Sequence, residues 1–85
     1  MFFDIINTEY LDHYNLHIEF ANGKRGVVDF KEYVLPNTVF DKFSNLDYFK
    51  SFSIEDGLLF WGSGELDIAP ETLYEKATGE LIDWP

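Results

Sequence analysis

Between Tyr14 and Phe30 the chain alternates apolar and polar side chains on both sides of an Asn-Gly dipeptide, and only one pairing keeps that alternation in step. Tyr14-Asn15-Leu16-His17-Ile18-Glu19-Phe20 and Lys24-Arg25-Gly26-Val27-Val28-Asp29-Phe30 read as two half-buried strands of a hairpin. A two-residue Asn22-Gly23 loop would set Leu16 opposite Asp29 and Ile18 opposite Val27, sending Val28 and Phe30 to the polar face. A three-residue loop, Ala21-Asn22-Gly23, sets Leu16 opposite Val28, Tyr14 opposite Phe30 and Glu19 opposite Arg25, with Gly23 at the left-handed bulge position. A slip of one residue turns every side chain over, so the pattern predicts the three-residue loop.

Ahead of this hairpin, Phe3-Asp4-Ile5-Ile6-Asn7 is β-rich and is expected to pair with it as a first strand, leaving Glu9 to His13 as a connecting turn. After it, Lys31 to Leu35 ends at Pro36 and has room for a short helical turn only, because the residue before proline avoids the α region. Asn37 or Thr38 can cap a turn holding Phe40 and Phe43, and Ser44 or Asn45 another holding Leu46 and Phe49. The phenylalanines at 40, 43 and 49 recur at roughly helical spacing and are expected to cover one face of the sheet.

A second hairpin is announced by Asp56-Gly57 between Phe52-Ser53-Ile54-Glu55 and Leu58-Leu59-Phe60-Trp61. Its second strand is apolar on both faces, so one of the pairs Leu58/Phe60 and Leu59/Trp61 must point away from Phe52 and Ile54, toward a helix or a partner. Gly62-Ser63-Gly64 breaks the strand and Glu65-Leu66-Asp67-Ile68 is short and extended. Ala69 to Ala77 then reads as a helix, with Pro70 in its first position and Gly79 as its left-handed stop. The apolar tail over 80–85 carries Trp84. These elements predict one α+β domain over 1–85: a mainly antiparallel sheet of four to five strands, containing two hairpins, with short helices packed on one face.

Composition narrows the function. With 85 residues there is one domain. Hydrophobic residues make up 46% and aromatics 19%, which excludes intrinsic disorder. There is no cysteine, hence no disulfide scaffold, thiolate metal site or cysteine nucleophile. Met1-Phe2-Phe3 runs straight into Asp4 without the basic and long apolar regions of a signal peptide, and no apolar run approaches a membrane span, so a cytoplasmic protein is the expectation. The net charge is −10, and the six cations are scattered at Lys24, Arg25, Lys31, Lys42, Lys50 and Lys76. Such a chain is not expected to bind nucleic acid by itself. The acidity serves solubility, or it steers a basic partner.

The order of the segments carries a resemblance: a strand ending in Phe20, an Asn-Gly turn, Val27-Val28-Asp29-Phe30, a phenylalanine-rich helical stretch, Asp56-Gly57-Leu58-Leu59-Phe60-Trp61, a glycine-containing turn, Leu66-Asp67-Ile68, and Pro70-Glu71-Thr72-Leu73-Tyr74. Over about Tyr10 to Lys76 this resembles the bacterial family known as domain of unknown function 2442. The resemblance implies a small α+β domain, sometimes fused to a helix-turn-helix domain, often encoded beside another small protein, and associated with toxin–antitoxin-like pairs. With 85 residues, the helix-turn-helix domain is not expected in this chain. It also departs from many relatives in having Trp61-Gly62 where they have Trp-Pro, and Ala69 where they have a capping Ser.

The candidate chemistry is sparse. His13 and His17 stand four apart, the spacing of a helical zinc pair, but they fall on a turn and a strand, with no third ligand marked by spacing. Asp29 and Asp67 each precede or enter a turn and are expected to be structural caps rather than an acid–base pair, since no nucleophile, base or phosphate loop accompanies them. Gly62-Ser63-Gly64 lacks the strand–elbow–helix setting of a hydrolase nucleophile. No catalytic residue, metal or cofactor is expected. Phe60, Trp61, Tyr74 and Trp84 are a generous aromatic supply, and Leu59, Trp61, Tyr74 and Trp84 form the candidate interaction surface. The leading expectation is a non-enzymatic protein-interaction module, one half of a toxin–antitoxin-like pair, whose partner is a basic protein or a second copy. The alternative is a regulatory module acting beside a DNA-binding partner; a small hydrolase or metal protein ranks last.

Overall fold

A computed structural model describes residues 3–34, 40–64 and 66–80. The chain forms β1 (Ile5–Asp12), β2 (Asn15–Phe20), β3 (Arg25–Asp29), two 3₁₀ turns (Lys31–Tyr33 and Asp41–Ser44), α1 (Leu46–Phe49), β4 (Ser53–Glu55), β5 (Leu58–Trp61), β6 (Leu66–Asp67) and α2 (Pro70–Thr78). The strands make two three-stranded antiparallel sheets, β1-β2-β3 and β4-β5-β6, in place of the single sheet of four to five strands that the sequence suggested. The α+β class stands.

The first hairpin has the expected register, with Leu16 opposite Val28 and Glu19 opposite Arg25. Gly23 takes a φ of 87°, which only glycine adopts without cost, and the Gly23 amide donates to the Phe20 carbonyl. Leu16, Ile18, Phe20, Val28 and Phe30 are all buried on the inner face. β1 is longer than the sequence indicated. Glu9 to Asp12 are strand, and the connection shrinks to His13-Tyr14, with His13 at a φ of 47°. Two irregularities, at Ile6 and at Leu11, shift the register between Ile5 and Asn7 and between Tyr10 and Asp12. Each interrupts the period-two alternation by which a strand is read from sequence.

The second hairpin turns through Asp56 and Gly57, both at positive φ as a type I′ turn requires. It pairs Ile54 with Leu59 and Glu55 with Leu58. The two sheets meet where the Ile5 amide donates to the Gly57 carbonyl at 2.9 Å.

The core lies between the inner faces of both sheets. Phe43 and Phe49 are fully buried against Trp61 with ring centroids 4.6 and 6.0 Å away, while Phe40 is half-buried against Tyr33 and Phe43. The Trp61 indole N–H donates to the Phe49 carbonyl at 2.7 Å, which satisfies the one polar group of the largest core side chain. Asn45, rather than Ser44, caps α1 by accepting from the Asp47 and Tyr48 amides. The other proposed caps, Asn37 and Thr38, lie outside the described residues. α2 begins at Pro70 and ends at Gly79 in the left-handed conformation, as its sequence predicts. It buries Leu73 and Tyr74, and it rests on β3 where Gly26 leaves room for the Ala77 backbone.

Candidate functional site

Pairing decides which side of β5 is free. Because the Asp56-Gly57 turn has two residues, Leu59 joins Ile54 on the inner face and Trp61 pairs with Leu66 of β6. Leu58 and Phe60 therefore face outward, Leu58 41% exposed and Phe60 half-buried. Glu55 stands beside Leu58 on one side of the strand, and Asp67 beside Phe60 on the other. The Ser63-Gly64 turn closes one end. Together with Asp56 these residues line an open depression of about 240 Å³ whose floor is apolar and whose rim is carboxylate.

The setting is electrostatically one-sided. Residues 51–75 contain Glu55, Asp56, Glu65, Asp67, Glu71 and Glu75 and not one lysine, arginine or histidine. The cations lie elsewhere, and several are already engaged. Lys24 pairs with Glu80 at 3.1 Å, and Lys76 bonds Glu32 and lies 5.6 Å from the Tyr33 ring. These carboxylates hold both ammonium groups above their ordinary pKa. Lys42 and Lys50 sit over the rings of Tyr48 and Tyr10. Both lysines are exposed, and cation–ring contacts at exposed sites contribute roughly 0.5–1 kcal/mol.

The residues singled out from sequence are placed differently. Leu59, Trp61 and Tyr74 are buried and belong to the core, so they do not form a surface. The burial of Leu59 and Trp61 follows from the two-residue turn at Asp56-Gly57, a signal present in the sequence that fixes Ile54 opposite Leu59; Tyr74 is buried as part of α2. Trp84 lies outside the described residues. The Tyr74 hydroxyl accepts from the Asn22 side-chain amide at 3.2 Å and donates to Glu80, tying the first hairpin's turn to the end of α2. The Asp29 carboxylate accepts from the Lys31 amide at 2.8 Å. Asp67 does not cap α2, whose N-cap is Ala69 without a side-chain bond. Strand pairing puts Asp67 on the outward face with Phe60 instead, where it is exposed.

His13 and His17 do not converge. His13 occupies the β1–β2 turn, and His17 stands on the outer face of the first sheet between Glu9 and Val27. Among the described residues no group of three His, Asp or Glu side chains is placed to hold a metal ion. Two further depressions have charged side chains in their lining. One, of about 400 Å³, is lined by His13, Tyr14, Asn15, Asp29 and Lys31, and the other, of about 340 Å³, by Val28, Asp29, Glu32 and Lys76. In the first the Asp29 carboxylate accepts from the Lys31 backbone amide, and in the second Glu32 pairs with Lys76. No helix among the described residues is long and apolar enough to cross a membrane.

A family model described as "Protein of unknown function (DUF2442)" matches residues 5–79. No curated protein and no solved structure matches the chain.

Proposed function

The chain belongs to the DUF2442 family, and we propose that within it this protein is a non-enzymatic protein-interaction module that docks a basic partner on the outward face of the second sheet. The observation that carries this reading is the apolar pair Leu58 and Phe60 set between Glu55, Asp56 and Asp67, within 25 residues that contain no cation. Apolar side chains give such a contact its affinity, and surrounding charge gives it speed and choice of partner. A contact centred on two side chains belongs to the transient class, burying less than about 1,200 Å² in all. The chain is then the acidic half of a two-protein pair of the toxin–antitoxin-like kind. The same charge keeps it off nucleic acid: with six cations against 16 acids it cannot neutralise enough phosphates.

The test is charge reversal. Glu55 and Asp67 are exposed, so Glu55→Lys/Asp67→Lys leaves the core untouched. Tagged wild type is expected to retain a basic protein from a lysate of the source cells at low salt, to release it as salt shortens the range of the attraction, and to lose it in the double variant. Retention of the same proteins by both forms, or of duplex DNA by the wild type alone, would overturn the reading.

A further inference from the structure

Resting on that docking reading, we infer the chemistry of the segment the face takes: an extended stretch of a basic protein with an apolar side chain at its centre and a basic residue two positions to either side. The spacing comes from the sheet. Glu55 and Asp67 lie on opposite neighbours of β5, level with Leu58 and Phe60 respectively. Strands stand about 4.8 Å apart and rise about 3.4 Å per residue, so the two acidic positions are separated by about 12 Å along a diagonal over the apolar floor. In an extended segment, residues i and i+4 lie about 13 Å apart on one side, with i+2 between them on the same side. Basic side chains at i and i+4 therefore reach Asp67 and Glu55 while the side chain at i+2 settles between Leu58 and Phe60.

A helix fits less well. Its apolar face presents three or four side chains at i, i+3, i+4 and i+7, whereas the floor offers two residues and about 240 Å³, room for a single anchor.

Fluorescence anisotropy with labelled peptides tests this. The probe carries Lys-Ser-Leu-Ser-Lys. Three controls carry Glu-Ser-Leu-Ser-Glu, Lys-Ser-Ser-Ser-Lys and Lys-Lys-Leu-Ser-Ser, the last having the same composition but broken spacing. The probe is expected to bind at least about tenfold more tightly than each control, the cost of losing one anchoring apolar or charged contact. Asp67→Lys is expected to remove that advantage. Equal binding of the broken-spacing peptide, with both peptides lost in Asp67→Lys, would overturn the spacing while leaving the docking face in place. Binding that ignores both Asp67→Lys and Phe60→Ser, or no measurable binding of the probe, would overturn the segment and the face together. Light scattering supplies the remaining outcome: a dimer of the wild type that Phe60→Ser dissociates would assign the face to a second copy and overturn the inference.

Discussion

Gly26→Ala tests how α2 is seated. Gly26 lies opposite Ile18 on the inner face of β3, beneath the last turn of α2. A methyl group there would stand 2.0 Å from the Ala77 carbonyl oxygen and 2.7 Å from its carbon. Ordinary contact begins at 3.4 Å, so the helix must retreat by about 1.4 Å, the difference between 3.4 and 2.0. Both clashing atoms are backbone and neither can swing aside. In an unobstructed strand the same substitution would stabilise by about 0.5–1 kcal/mol. Here overpacking costs about 1–3 kcal/mol, and loosening the buried contacts of Leu73 and Tyr74 adds to it. A net loss of about 3 kcal/mol is expected, which in a domain of this size lowers the melting temperature by about 12–24 °C. Urea and thermal melts measure it. Gly79→Ala is the control: its φ of 76° is strained for alanine, but nothing lies within 4 Å, so it should lose only about 1–2 kcal/mol. A Gly26→Ala protein as stable as the wild type would refute the seating of α2 on β3.

Other outcomes follow from the same contacts. Leu59→Ala should cost about 2–5 kcal/mol and Leu58→Ala less than about 0.5, and comparable losses in urea melts would mean that β5 is turned over. Asn45→Ala should cost about 1 kcal/mol and Ser44→Ala almost nothing, since only Asn45 bonds the α1 amides. Burial raises the Tyr33 hydroxyl above its ordinary 10.0, and the bond to Glu32 raises Lys76 above 10.5. The folded state thus keeps both protons where the unfolded chain begins to lose them. Their stabilisation is full below about pH 10 and is lost as pH climbs through the raised values, so the melting temperature should fall as pH rises above about 10, and Glu32→Gln should flatten part of that fall.

Much of the fold is legible in local chemistry. The register of the first hairpin follows from alternation around Asn22-Gly23, and the limits of α2 from Pro70 and Gly79, because each depends on residues close in sequence. β1 hides its length because Ile6 and Leu11 interrupt the alternation. The way the two sheets meet is hidden because it depends on the Ile5 amide reaching the Gly57 carbonyl, a contact across 52 residues that no periodicity records. At the candidate site, the apolar surplus of β5 is visible in sequence, but which half of it is free depends on following the Asp56-Gly57 turn through to Ile54 and Leu59. Read without that step, the surface is assigned to Leu59 and Trp61, both of them core. The run without cations over 51–75 is equally open to view; its meaning comes from the sheet that gathers Glu55, Asp56 and Asp67 around Phe60.

Docking through the outward face of the second sheet is tested most directly by two matched double variants. Leu58→Ser/Phe60→Ser strips that face, and Ile6→Ser/Val27→Ser removes two exposed apolar side chains from the first sheet. Each is compared with the wild type for affinity toward the purified basic partner, with urea melts run in parallel. The first variant should lose binding by tenfold or more and the second should keep it, with both still folded. Equal binding by the two variants, or loss only in the second, would contradict docking at Leu58 and Phe60.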